Sequence, residues 1–427
     1  MVAERVATIS TQASAATPDE IDAWIHDLAK QNRQTHDAEC INLNPATNTM
    51  NPRAEALLSS GLGARPSLGY PGDKYEMGLE AIEQIEVVAA ELAGQVFGAN
   101  FAEIRLASGA MANLYGFMAT CSPGDAIIVP PASIGGHVTH NRAGAAGLYG
   151  LDIHEAPIDA NRYTVDVDAL AAMAAKVQPK LITIGSSLNL FHHPVAGVRD
   201  VADSVGAKVL FDAAHLSGPI AGGAWPDPLT EGAHMMTMST YKSLGGPPAG
   251  LLMTNDTGIA ERVDAIAYPG LTANFDVAKS AALAVGLLDW ISHGNAYAQA
   301  MVTAARLLAG ALIDQGVPVH TSPASHEFGA TQSHAFAIDA SAWGGGHAGA
   351  QRLRQANLLT CAIGLPHDDG AGLRFGTNEV VRWGAGPDHM DGLATLITRA
   401  LNEDPKSVAP DATAWRRGFD HLHFIRS

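Results

Sequence analysis

Six short apolar runs, each set off by turn residues or by a helical pattern, limit this chain to few folds. They are Ile104-Arg-Leu106, Ala126-Ile-Ile-Val129, Leu181-Ile-Thr-Ile184, Val209-Leu-Phe211, Met235-Met-Thr-Met238 and Leu251-Leu-Met253. A strand that is apolar throughout is buried on both faces, and such strands alternating with helices specify a mostly parallel sheet with helices on either side. The expected class is therefore α/β, with a large domain built on that sheet. A helical pattern over 80–98 precedes the first run, and two more, over 275–294 and 298–315, follow the last. Strands near Val317, Ala335 and Leu373 then predict a smaller C-terminal α+β domain. At the other end, Thr17-Pro-Asp-Glu20 is an N-cap with proline in the first turn, opening an arm helix over 19–36. The expected division is an N-terminal arm over 1–50, a large domain over 51–294 and a small domain over 295–427.

Charge and composition exclude several classes of partner. Against 26 basic side chains stand 43 acidic ones, a formal charge of −17 that repels nucleic acid and anionic membrane. No stretch approaches the ~18 uninterrupted apolar residues of a spanning helix, and residues 1–18 carry Glu4 and Arg5 but no apolar core of a secretory signal. Cys40, Cys121 and Cys361 are odd in number and far apart, so neither a disulfide framework nor a zinc spacing is expected, and a reducing cytoplasm fits best. Among 18 histidines the closest spacings are His137-x-x-His140, His192-His193 and His421-x-His423. None supplies a His-Glu-x-x-His helix or a third ligand at fixed spacing, so no metal site is expected.

The chemistry concentrates around one lysine. Lone lysines are ordinarily solvated, but Lys242 follows Ser239-Thr-Tyr and precedes Leu244-Gly-Gly-Pro247, at the end of an apolar run. Asp212 ends the neighbouring run, where a carboxylate can pair with a protonated pyridine nitrogen. A partly desolvated lysine in the same crevice is lowered in pKa and can form a Schiff base, so the pair predicts pyridoxal 5'-phosphate (PLP) as cofactor. Ser108-Gly-Ala-Met-Ala-Asn113 opens a helix after the first run, so Ser108, Gly109 and Ala110 sit where backbone N–H groups hold a phosphate. In Gly135-Gly-His-Val-Thr-His140 the imidazole of His137 is placed to stack on a pyridine ring. Arg374, charged within the apolar stretch Gly372-Leu-Arg-Phe-Gly376, needs a partner, and a substrate α-carboxylate matches its planar fork.

In this order, these pieces resemble the serine hydroxymethyltransferases, PLP enzymes of fold type I with an aspartate aminotransferase-like architecture. The likeness runs from about Asp37 to Leu401 through Gly69-Tyr-Pro-Gly72, Ser108-Gly-x-x-Ala-Asn113, Gly135-Gly-His-x-Thr-His140, Asp212-x-Ala-His215, Thr240-x-Lys242-x-Leu-x-Gly-Pro247 and Leu373-Arg-x-Gly-Thr377. The resemblance implies that Lys242 carries the cofactor, that His215 lies near its 3-oxygen, and that Ser187, Ser239 and Tyr241 line its site. It further implies Thr47 and Tyr75 at the substrate beside Arg374. Gly270, after Tyr268-Pro269, would approach the phosphate of a neighbouring subunit in a homodimer or homotetramer, as would Thr272.

The chain also departs from the family. Pro66 and Leu68 stand where a tyrosine and a proton-carrying glutamate are found, and Tyr75-Glu76 replaces paired tyrosines. Tyr241, Pro248 and Ala110 replace a histidine, an arginine and a serine, and the folate-contacting loop shrinks to Cys361-Ala-Ile-Gly-Leu-Pro-His-Asp-Asp-Gly370. The expected activity is PLP-dependent cleavage or formation of the Cα–Cβ bond of a β-hydroxy-α-amino acid, an α-methylserine-like one among the candidates, without a requirement for folate. Glu76 and His137 are the candidate bases. The alternatives are folate-dependent transfer from serine or 2-methylserine, another PLP reaction such as decarboxylation, transamination or elimination, and a silent binding subunit. That last reading is disfavoured because Lys242, Asp212 and Arg374 are all present.

Overall fold

The computed structural model describes residues 2–427, apart from the side chain of Asp369. Helices α1 (Val2–Ala15) and α2 (Pro18–Arg33) come first and bury no residue. The predicted cap is present: the Thr17 hydroxyl accepts from Glu20 N–H while the Glu20 carboxylate accepts from Thr17 N–H. The sequence reading left residues 2–15 without an element. Their small, helix-compatible side chains nevertheless continue the helical path.

Helix α3 (Glu80–Phe97) ends at Gly98, whose φ of +61° is the left-handed cap that glycine supplies readily. It leads to strand β1 (Phe101–Leu106), helix α4 (Gly109–Thr120) and strand β2 (Ala126–Val129). Then come β3 (Asp152–Glu155), β4 (Leu181–Ile184), β5 (Lys208–Asp212), β6 (Met235–Ser239) and β7 (Gly250–Thr254). These form one sheet in the order β3-β2-β4-β5-β6-β7-β1. Only β7 runs antiparallel to its neighbours, so the sheet is mixed and mostly parallel. All six apolar runs became strands. The seventh, β3, was missed because Asp152-Ile-His-Glu155 is a half-exposed edge strand that lacks an apolar run.

The two helices expected over 275–294 and 298–315 are one, α5 (Val277–Asp314). Gly294 marked the expected break, and glycine does weaken a helix by about 1 kcal/mol. Here Gly222, having no side chain, lies against the Gly294 carbonyl where a Cβ would collide, and Asn295 Nδ2 donates to the Gly222 carbonyl at 3.0 Å. Tertiary packing thus carries the helix unbroken through the weak point. By length and composition α5 would cross a membrane, but residues such as Leu283, Leu287, Trp290, Met301 and Leu308 lie in the core.

Beyond α5, strands β8 (Ala335–Asp339), β9 (Cys361–Leu365) and β10 (Asp368–Gly376) form an antiparallel sheet in the order β8-β10-β9. Near Val317 there is no strand, only a single bridge from Val319 to Ile338. The segment expected as a shortened loop, 361–370, is largely a hairpin: β9 turns into β10 through Pro366-His367, with Leu365 opposite Asp368. This pairing sets Cys361 directly across from Arg374.

Candidate active site

The C-terminal ends of the parallel strands converge on one buried cluster, as is usual where open α/β sheets bind ligands. Asp212 ends β5, Ser239 ends β6, and Lys242 lies three residues beyond. Ser186 and Ser187 follow β4, and the loop after β2 leads to His137. From the C-terminal sheet, Arg374 on β10 reaches in from the other side.

Lys242 is 6% exposed, and its Nζ lies 3.3 Å from His215 Nε2. Arg374 Nη1 lies 3.3 Å from the same nitrogen and also donates to the Ser187 carbonyl. With two donors facing it, Nε2 of His215 is an acceptor, so the neutral ring carries its proton on Nδ1. Burial, then the charges of Lys242 and Arg374, hold the His215 imidazolium well below the ordinary histidine range, so the ring stays neutral. Burial likewise lowers Lys242 to about 8; Arg374 adds to this and Asp212 opposes it. A fraction of free amine is therefore present near neutrality.

Asp212 is fully enclosed. Burial alone would raise its pKa, but the hydrogen bond and charge of His140, helped by His137 and Asn113, overcome this and hold the carboxyl well below its usual range. Oδ2 accepts from His140 Nε2 and Asn113 Nδ2, both at 2.9 Å, and Oδ1 accepts from Ala214 N–H at 3.0 Å. Thr237 Oγ1 donates to Asn113 Oδ1 at 2.6 Å and so fixes the amide's orientation. Asn113 Nδ2 also donates to Thr139 Oγ1 at 2.9 Å, leaving that hydroxyl to donate to His137 Nδ1 at 2.9 Å. Nδ1 of His137 also accepts from Thr139 N–H at 3.3 Å. The neutral His137 ring consequently carries its proton on Nε2 and offers a donor there, and burial keeps it neutral by lowering its pKa. Asn113 and His140 stood inside the sequence motifs without a role. The available signal was that a buried carboxylate at Asp212 requires donors, and these were the nearest unassigned ones.

Ser108 caps α4, its hydroxyl accepting from Met111 N–H at 3.2 Å, so the N–H groups of Gly109 and Ala110 begin the helix with no intrahelical carbonyl to meet. A Cβ on Gly109 would collide with the Ser239 hydroxyl, which explains glycine at this close approach. Tyr241 is half-buried beside Lys242.

Other expected residues stand apart. Thr47 is engaged with Asn42, whose Nδ2 donates to its hydroxyl at 2.8 Å, and with Glu379. Tyr75 is 76% exposed. Glu76, on the same segment, has a buried Oε2 without a hydrogen-bond partner and makes no hydrogen bond or ion pair with the Lys242 cluster. Gly270 is exposed, while Thr272 is buried and bonded to the Tyr115 hydroxyl of its own chain. His334 was not foreseen: it is buried, both ring nitrogens lack a partner, and burial followed by the charge of Arg374 lowers its pKa to about 3. Among the described residues no group of three metal-ligating side chains is present.

This arrangement fits PLP. Asp212 is a buried, ionised carboxylate with no lysine or arginine in ion-pair contact among the described residues, which suits a protonated ring nitrogen. A desolvated amine, an open helix N-terminus and a guanidinium complete the set. Residues 19–397 match the family model described as serine hydroxymethyltransferase. The chain belongs to the serine hydroxymethyltransferase family. It is accordingly a PLP-dependent enzyme. Within that family it is 59% identical over 426 residues to an alpha-methylserine aldolase of Variovorax paradoxus, covering 99% of this chain and 96% of that one. An alpha-methylserine aldolase of a Ralstonia species is 53% identical, covering 99% and 97%. A serine hydroxymethyltransferase of Methanopyrus kandleri is 34% identical, covering 94% and 95%.

Proposed function

We propose that this family member is an aldolase for α-methylserine or a similar β-hydroxy-α-amino acid, and that it does not need tetrahydrofolate. The observation that carries the substrate is the 59% full-length identity to a protein named alpha-methylserine aldolase, against 34% to one named serine hydroxymethyltransferase. In the reaction the β-hydroxyl loses its proton, Cα–Cβ breaks to release formaldehyde, and Cα gains a proton to leave alanine. PLP, when bound, supplies the electron sink for the pair left on Cα.

The chain's own residues do the rest. Lys242 holds the cofactor, Asp212 keeps a negative charge at its ring nitrogen, and Gly109 and Ala110 N–H groups with Ser239 receive its phosphate end. Arg374 receives the α-carboxylate. His137 serves as a flat, neutral wall with a donor at Nε2, which argues against it as the base. His215 presents the neutral acceptor of the cluster. Glu76 remains the candidate base for the hydroxyl proton, reaching the site of a second copy in a homodimer or homotetramer, with Tyr75, Gly270 and Thr272 at the same border. Leu68, which is apolar, cannot relay the proton that a folate route requires, and the tight β9–β10 turn leaves no loop to fold over a pterin. Three free cysteines fit a cytoplasmic enzyme. The proposed lobes are an arm over 1–50, a large domain over 51–294 and a small domain over 295–427, with α5 continuing from one domain into the next and Lys242 and Arg374 on opposite walls.

The test is direct. PLP-loaded protein given 2-methylserine or serine is assayed for formaldehyde and for alanine or glycine, with and without tetrahydrofolate. Release from 2-methylserine without folate supports the reading. Strict folate dependence would make the chain a hydroxymethyltransferase, and absence of aldehyde from either substrate would remove the aldolase reading.

A further inference from the structure

We infer that Cys361 is a positioning residue for substrate binding, orienting the guanidinium of Arg374. The inference rests on the proposed role of Arg374 as the carboxylate receptor. Cys361 and Arg374 are direct partners across β9 and β10, so their side chains leave the same face of the sheet. Cys361 Sγ accepts from Arg374 Nε at 3.0 Å and donates to Asn44 Oδ1 at 3.1 Å. Asn44 Oδ1 also accepts from Ala46 N–H at 3.0 Å, so the sulfur is tied to a fixed loop. Just before β9, the Thr360 hydroxyl donates to the Arg374 carbonyl.

These contacts divide the guanidinium. Nε is held by the sulfur, and Nη1 by the Ser187 carbonyl and His215. Nη2 alone has no protein partner among the described residues, so a carboxylate meets Arg374 there. Without the sulfur the plane can rotate about its last side-chain bond, and Nη2 no longer points in one direction. A thiol suits the place because it accepts from Nε and donates to Asn44 at once. A hydroxyl can do the same, and a methyl group can do neither. Neither other cysteine can substitute, for Cys40 and Cys121 are buried elsewhere in the core, whereas Cys361 is half-buried at the site.

The experiment has two arms on PLP-loaded protein. In the first, Cys361→Ala is expected to raise KM for the amino acid about tenfold with kcat little changed, as for loss of a hydrogen bond to a charged group. Cys361→Ser is expected to restore most of the affinity. Arg374→Ala serves as the reference. If it leaves KM unchanged, the carboxylate reading itself fails; if it raises KM while Cys361→Ala does not, only the role of Cys361 fails. The second arm needs no variant and no turnover. Iodoacetamide alkylation of Cys361, read by peptide mass spectrometry, is expected to be slowed severalfold by alanine and unaffected by alaninol, which lacks the carboxylate. Equal protection by both, or by neither, would overturn the inference even if Cys361→Ala does not fold.

Discussion

The floor of the site and the segment over 65–79, proposed above to form the entrance to the site of a second copy, are built in opposite ways. On the floor, Lys242, Asp212, His215 and Arg374 are all buried, and each touches another member of the cluster or a fixed neighbour. The entrance segment over 65–79 shares little with that floor. Its anchor is a separate buried ion pair, Lys74 with Glu86 at 2.7 Å, which Ser67 joins through its hydroxyl. The side chains beyond this anchor, Tyr75 and Met77, are largely exposed. The floor is specified by contacts within one chain, and neither Ala110 nor Tyr241 supplies one of them. The segment over 65–79 shares no hydrogen bond or ion pair with that floor among the described residues, and it is here that Pro66, Leu68 and Glu76 set this chain apart from the pattern it resembles.

That contrast breaks most readily at the lysine. Lys242→Ala is expected to lower turnover on the order of 10³-fold or more, and borohydride labelling of PLP-loaded wild type should mark the peptide containing Lys242 alone; a label on another lysine would relocate the floor. Next in size is the anchor. Lys74→Ala leaves the Glu86 carboxylate buried without its cation and should cost about 3 kcal/mol of stability, read as a lower midpoint in urea, while PLP retention at permissive concentrations stays normal. A loss of PLP in step with stability would mean that entrance and floor are one unit.

Glu76→Gln is expected to slow Cα–Cβ cleavage about 10²-fold with the PLP absorbance spectrum unchanged; equal rates would leave the entrance without a catalytic group. The mildest effect is a pH dependence. Below its pKa of about 8 Lys242 is an ammonium without a lone pair. Reconstitution of stripped protein with PLP should therefore quicken roughly tenfold from about pH 7 to about pH 9, and a flat profile would show that Lys242 is not desolvated as described.

Much of the floor was legible because its residues sit at strand ends. An apolar run fixes where a buried strand lies, and the residue after its last apolar position must then face the sheet's C-terminal edge; this placed Asp212, Ser239 and Lys242 together. The same logic missed β3, whose polar edge carries no run, and divided α5 at Gly294, where propensity argued for a break that packing against Gly222 overrides. The partners of a site residue were also out of reach. His140 and Asn113 became the donors to Asp212 only when α4 and the loop after β2 packed above β5.

The sequence alone, then, determined six of the seven strands of the large sheet, the strand-end residues and the cofactor they imply, because burial periodicity and turn chemistry act over a few neighbouring residues. Only the tertiary structure decided which tautomers His137 and His215 adopt, which nitrogen of Arg374 stays open, and that Glu379, buried against Asn42 and Thr47, has its carboxyl pushed up to about 8 by that burial. Such properties arise from desolvation and from donors hundreds of residues apart in the chain, and no local pattern encodes them.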